Sequence, residues 1–298
     1  MNDFLEYMFR FANNDLKNTL LKVNKQLNKL KYQDFINDDI SEHILTNKGY
    51  LNVELYNQIK KNIEFIQEKH INTFNIKSFC LDLSNNKLTK INLTGLSKLQ
   101  ELCLSNNFLQ NINLTGLSNL QELNLSVNRL TDINLTGLSN LQELYLSNNF
   151  LQNINLTGLS NLQKLYLCSN QLTKIDLTGL SNLRSLDLTN NKLTDIDLTE
   201  LSNLRNLFLS MNQLSSIDLT RLTNLFSLCL MNNLLSNIDL TGLSQLRSLD
   251  LTNNKLTDID LTGLNNLIRL TLYENQLSNS CRDTINALNI YRCYLDLY

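Results

Sequence analysis

Residues 102–122 read LCLSNNFLQNINLTGLSNLQE, and residues 123–143 read LNLSVNRLTDINLTGLSNLQE. The second stretch repeats the first with a period of 21 residues, and the unit recurs on both sides of the pair. Units begin at Leu81, Leu102, Leu123, Leu144, Leu165, Leu186, Leu207, Leu228, Leu249 and Leu270. The first nine are complete, and the tenth runs into a divergent tail. Counting from that first Leu, positions 1, 3, 8, 13, 16 and 19 are Leu, position 11 is Ile and position 14 is Thr in every complete unit. Position 6 is Asn in all ten, from Asn86 to Asn275. A fixed period of this length is the mark of a repeat architecture.

Each position has a physical reading. The Leu-x-Leu at positions 1 and 3 alternates with period two, so it predicts a short strand with one face buried. A single unit cannot bury seven aliphatic side chains, but stacked units cover one another's Leu rows. The Asn at position 6 follows the strand, where its amide can bond backbone groups of adjoining coils that burial would leave unpaired. Positions 12–18 predict a capped turn or 3₁₀ segment on the outer side of each coil. Every Gly except Gly49 stands at position 15, yet Glu200 and Arg221 stand there too, so a positive φ is not compulsory at that turn.

Residues 81–277, with LxLxxNxL in each unit, resemble a leucine-rich-repeat array. The short period is similar to that of bacterial leucine-rich repeats, including internalin-like proteins and effectors of intracellular pathogens. The resemblance implies an α/β repeat solenoid, right-handed, with a parallel sheet on its concave side. It implies binding and no chemistry, since function resides in sites rather than folds.

The sheet positions that face outward vary, whereas the outer turns are nearly copied. Position 2 carries Tyr145, Tyr166 and Phe208, position 4 Met231 and position 5 Met211. These predict an apolar strip on the concave face, of the kind that anchors a protein partner. Phe108, Phe150 and Leu234 at position 7 extend its edge. Position 21 supplies Glu101, Glu122 and Glu143, then Lys164, and position 20 supplies Arg184, Arg205 and Arg247. The groove is therefore expected to be acidic early and basic later, although duplication of a unit ending Leu-Gln-Glu accounts equally well for the Glu row.

Composition excludes other classes. The formal net charge of -2 at pH 7 argues against a nucleic-acid binder. No run of 18 apolar residues is present to span a membrane. Asp3 and Glu6 stand where a secretory signal needs positive charge, so no cleavable leader and a cytoplasmic location are expected, in a host cytosol if the protein is translocated. The six cysteines form no CxxC pair and are expected to be reduced. The two histidines, His43 and His70, have no recognisable nucleophile or metal partner. No phosphate loop or metal cluster occurs, so neither a cofactor nor an enzymatic activity is expected. The Asn-Leu-Thr acceptor patterns at Asn92, Asn113, Asn134 and Asn155 follow from the repeat. The Asp row from Asp176 to Asp260 reads as turn caps rather than a Ca²⁺ site. Cys281-Arg282-Asp283 resembles the Cys-x-Asp of a bacterial ubiquitin-ligase family, but only 15 residues follow it, too few for that catalytic domain.

The ends differ from the array. Residues 1–78 are not repeated and predict short amphipathic helices capping the solenoid of residues 79–298. At the far end a C-terminal cap is expected over about 278–298, with a helix from Asp283 to Asn289 and a strand at Tyr294-Leu295-Asp296-Leu297. Residues 4–30 are also similar to an F-box, pairing Phe4-Leu5-Glu6-Tyr7-Met8-Phe9 with Val23-Asn24-Lys25-Gln26-Leu27-Asn28-Lys29-Leu30. The family's Leu-Pro opening is missing, and Leu27 stands for its common Trp. That resemblance implies docking on the adaptor subunit of a cullin-RING ubiquitin ligase through Phe4, Met8, Phe9, Leu20 and Val23. Two readings lead, a plain interaction scaffold with a helical cap or a ligase substrate receptor; a third, an enzyme using His43 or His70 of the N-terminal region, ranks below them.

Overall fold

The structure, a computed structural model, describes residues 80–93, 96–287 and 292–294. The F-box-like segment, the N-terminal helices, both histidines and the residues from Leu295 onward lie outside the described residues. Two compact units divide the chain: Met1–Phe79 with Lys90–Leu93, and Cys80–Thr89 with Thr94–Tyr298.

The second unit is a solenoid. It carries eleven three-residue strands: β1 (Cys80–Asp82), β2 (Glu101–Cys103), β3 (Glu122–Asn124), β4 (Glu143–Tyr145), β5 (Lys164–Tyr166), β6 (Ser185–Asp187), β7 (Asn206–Phe208), β8 (Ser227–Cys229), β9 (Ser248–Asp250), β10 (Arg269–Thr271) and β11 (Arg292–Tyr294). They form one sheet in chain order, each pairing parallel with the next. From β1 to β10 the register is one repeat per step, so Leu102 faces Leu123 and Leu123 faces Leu144. Each strand begins one residue before the first Leu, at position 21. Position 3 follows the strand but stays in the ladder, because its N–H reaches the carbonyl of position 2 in the next coil, as in Leu104 to Asn124 at 2.7 Å.

The core is a set of Leu rows. Leu102, Leu104, Leu109, Leu117 and Leu120 are all at or below 1% exposed, and their equivalents repeat this coil after coil. Removing one such side chain to Ala costs ~2–5 kcal/mol.

The Asn row at position 6 does what its burial requires. Asn149 is 5% exposed. Its Oδ1 accepts from the Leu130 N–H of the preceding coil at 3.0 Å. Its Nδ2 donates to the Leu125 carbonyl of that coil and to its own Leu146 carbonyl, each at 3.0 Å. Both amide hydrogens are used, and each coil is fastened to the one before it. The side-chain-to-side-chain ladder lies one position earlier, where Asn253 Nδ2 donates to Asn232 Oδ1 at 2.7 Å.

Position 5 is left-handed throughout. Its φ lies between 51° and 62° at all ten sites, including Val127 at 56° and Met211 at 56°. Asn enters this region readily, whereas a β-branched residue does not. The backbone there is held by the next coil: the Val127 N–H donates to Ser147 O and the Met211 N–H to Met231 O, both at 2.8 Å.

The outer segment is a pair of consecutive tight turns. Leu117 N–H donates to Leu114 O at 3.2 Å, and Leu120 N–H to Leu117 O at 3.0 Å. Position 12 caps them, Asn113 Oδ1 accepting from the Thr115 N–H at 3.0 Å. In later coils Asp does the same work, as Asp197 does for Thr199 at 2.9 Å. The six described glycines at position 15 have φ between 81° and 87°, as a type II turn requires at its third residue. Glu200 and Arg221 make the same turn without a positive φ. Their closing bonds are shorter, 3.0 Å for Leu201 to Leu198 and 2.9 Å for Leu222 to Leu219.

The far end departs from expectation at the start of its helix. The helix, α1, spans Asn279–Ala287 and so starts four residues before Asp283. Ser278 Oγ caps it by accepting from the Cys281 N–H at 3.3 Å. Cys281 and Ile285, four residues apart, face the core at 6% and 1% exposure. The last described strand is Arg292–Tyr294, with Cys293 opposite Leu270; residues 295–297 of the expected Leu-x-Leu strand lie outside the described residues.

Candidate partner-binding face

In most strands the residues flanking the buried Leu, at positions 21 and 2, are half-buried and face out of the sheet. Register therefore places chosen side chains side by side. Glu101, Glu122, Glu143 and Lys164 stand in one row. Asn124, Tyr145, Tyr166, Asp187, Phe208 and Cys229 stand in the next.

The two rows meet in one built cluster. The Tyr145 and Tyr166 rings stack with centroids 5.1 Å apart and planes 2° from parallel. Such a pair is worth ~0.5–1.5 kcal/mol beyond the area it buries. The Tyr145 hydroxyl donates to Glu143 Oε2. Lys164 Nζ lies 2.8 Å from Glu143 Oε1, so both carboxylate oxygens are engaged. The Tyr166 hydroxyl and Ser185 Oγ share a hydrogen bond of 3.2 Å. The cluster is held by its own contacts, which lowers the cost of ordering it on binding.

Charge is distributed unevenly along this row. Burial pushes the Glu143 carboxyl up, but the hydrogen bonds from Lys164 and Tyr145 and the ammonium charge together bring it below the usual range. For Glu122 burial, then the charges of Glu143 and Glu101, outweigh the lowering by the Lys164 ammonium and hold it above the usual range. Burial, then the hydrogen bond to Glu143 and its charge, push the Tyr145 phenol well up, so it stays a donor at neutral pH.

The remaining expected residues fall into separate places. Asp187 lies between Tyr166 and Phe208, so the aromatic strip is interrupted rather than continuous. Met211 is 45% exposed at its left-handed position, and the half-buried Met231 accepts its N–H from the following coil. Arg184 and Arg205 border the sheet. They precede β6 and β7 by one residue and line a polar groove of about 270 Å³ with Asn182, Asn203 and Asn224. At position 7, Phe108 and Phe150 are 39% and 48% exposed. The Arg129 guanidinium stands 4.6 Å from the Phe108 ring centroid.

Phe226, a site the sequence reading passed over, stands at position 20. The Arg205 and Arg247 guanidiniums lie 5.8 Å and 5.5 Å from its centroid. A single Phe in a row otherwise rich in Gln and Arg was the available signal.

Three thiols, Cys80, Cys229 and Cys281, are held above the usual range. Burial first, then the hydrogen bond to Glu101 and its charge, push the Cys80 thiol up to about 11. Cys229 and Cys281 are also raised, chiefly by burial. Nucleophilic cysteines need the opposite shift. Among the described residues, no group of three His, Cys, Asp or Glu side chains could hold a metal ion. No helix among them is long and apolar enough to cross a membrane.

Comparison with known proteins agrees with this geometry. The family described as "Leucine Rich repeats (2 copies)" matches residues 118–159 and 160–200, and "Leucine Rich Repeat" matches residues 79–99 and 245–267. No curated protein matches the chain. Among solved structures, the functional domain of InlJ from Listeria monocytogenes is 30% identical with a TM-score of 0.66, covering 67% of this chain and 45% of its own. The leucine-rich effector protein YopM of Yersinia pestis is 25% identical with a TM-score of 0.58, covering 66% and 60%. The internalin InlF of Listeria monocytogenes is 25% identical with a TM-score of 0.51, covering 80% and 87%. The chain thus spans less than two thirds of InlJ and of YopM. Its repeats form a leucine-rich-repeat solenoid similar to those of bacterial internalins and YopM effectors.

Proposed function

We propose that this protein is a non-enzymatic binding scaffold whose exposed sheet face takes a protein partner, centred on Tyr145 and Tyr166. The single observation that carries this reading is the stacked tyrosine pair, locked by Glu143 and Lys164 on adjoining strands. Half-buried, pre-ordered aromatics beside charged groups are what interface anchors are made of. Phe208 and Met211 supply further apolar surface beyond Asp187. Glu101 and Glu122 favour a partner with basic side chains over the early strands, where Glu122 is short of relief. Similarity to YopM, an effector protein, supports a host protein as that partner.

The test is affinity capture from a host-cell lysate with the full chain and with a Tyr145→Ala/Tyr166→Ala/Phe208→Ala variant. A protein held by the first and lost by the second, with thermal stability nearly unchanged, supports the reading. Identical capture by both, or a large fall in Tm, overturns the site.

The F-box-like pattern of residues 4–30 favours a second reading, a ligase substrate receptor. Co-elution of the full chain with the cullin-ligase adaptor subunit, lost in a variant without residues 1–35, would establish it. Absence of a complex with both proteins folded would remove it.

A further inference from the structure

A second surface runs beside the sheet, along position 20 and the Asn row at position 18. Gln121, Gln142 and Gln163 line a groove of about 390 Å³ with Asn140 and Asn161. That groove meets the 270 Å³ groove at Asn182 and Arg184, which line both. Along its length the chemistry changes from neutral amides to guanidiniums at Arg184 and Arg205, and the row continues past Phe226 to Arg247.

Three observations define what fits there. First, none of these three guanidiniums pairs with a carboxylate among the described residues, where the one ion pair is Lys164–Glu143. Like charges on neighbouring coils repel, so an anionic ligand gains from binding them. Second, the Asn side chains are fixed in place. Asn161 Nδ2 donates to Ser139 O, Asn182 Nδ2 to Ser160 O and Asn203 Nδ2 to Ser181 O, all at 2.9 Å. Their carboxamide oxygens receive no hydrogen bond from the described residues and remain acceptors. Third, Arg205 and Arg247 approach the Phe226 ring from the coils on either side. That ring is therefore occupied and offers no platform on which a base could stack, as single-stranded nucleic acid needs.

From these we infer that the groove binds an extended acidic peptide. Its backbone lies along the Gln and Asn amides, and its carboxylates meet Arg184, Arg205 and Arg247. Amides that both donate and accept match the alternating groups of a peptide backbone. Guanidiniums match carboxylates in a planar, two-point fashion. From Gln121 to Arg247 the row takes six coil steps, ~29 Å at ~4.8 Å per step, which is the length of about nine extended residues.

The experiment is fluorescence anisotropy of the full chain with a fluorescein-labelled nonapeptide of alternating Glu and Ser. A Lys/Ser nonapeptide and a single-stranded oligonucleotide are the comparison probes. Saturable binding of the Glu peptide alone is expected. An Arg184→Gln/Arg205→Gln/Arg247→Gln variant should weaken it at least tenfold, and Tyr145→Ala/Tyr166→Ala should leave it unchanged. Circular dichroism checks that the triple variant is folded; if it is not, Arg205→Gln alone carries the test, with at least a threefold loss expected. No binding of the Glu peptide, or equal binding by the Arg variants, overturns the inference. Tighter binding of the oligonucleotide overturns the occupant. Loss of binding in the tyrosine variant would assign the peptide to the sheet face instead.

Discussion

Two rows of left-handed residues run along the array, and they obey opposite rules. At position 15, six glycines take φ near 81–87° at an exposed turn, and at five of them an added Cβ would meet nothing within 4 Å. There Glu200 and Arg221 simply remake the turn without a positive φ. At position 5 the left-handed φ persists whatever the residue, through Asn, Ser, Val, Met and Glu. The difference lies in what each backbone is bonded to. The turn closes on itself, so it can change type. Position 5 donates to the next coil beside the Asn ladder, so its backbone is fixed and an unsuitable residue bears the strain.

The largest test of this contrast removes the clamp. Asn149→Ala leaves the buried Leu130 N–H without its acceptor and takes one of two Asn donors from each of the Leu125 and Leu146 carbonyls, which keep Asn128 and Asn170. A loss on the order of 3 kcal/mol is expected in chemical denaturation. A loss below 1 kcal/mol would show that the ladder does not fix position 5. Next in size, Val127→Asn should stabilise the array by about 1 kcal/mol and raise Tm by about 3 °C, because Asn suits the φ of 56°. An unchanged Tm would mean the strain is relieved elsewhere. Met211→Asn should act in the same direction with a smaller gain, since Met is not β-branched. Smallest of all, Arg221→Gly should shift stability by less than about 0.5 kcal/mol, because either turn type serves. A shift comparable to that of Val127→Asn would erase the distinction between the rows.

The Leu rows, the strand at each unit's start and the bonding role of the position-6 Asn were legible because the period states them. Tyr145 and Tyr166 were legible as variable residues at outward positions, and their adjacency follows from one-repeat register. Their locking by Glu143 was not, since Glu143 reads as one of three like residues until distances separate it from Glu122. The left-handed row was hidden behind its own regularity: Asn at position 5 in six of ten units was a cue to positive φ.

The Asn clamp also makes the array countable. Each coil presents the same carbonyl and amide to its successor and receives the same side chain from it. Inserting or deleting one whole unit of 21 residues therefore rejoins identical surfaces, whereas a gain of 20 or 22 would put the wrong residue on the ladder. The spacing between the tyrosine pair and the arginine row is thus adjustable only in whole notches of ~4.8 Å. The molecule is a ruler graduated by duplication, and its two surfaces can be set nearer or farther apart without redesigning either one.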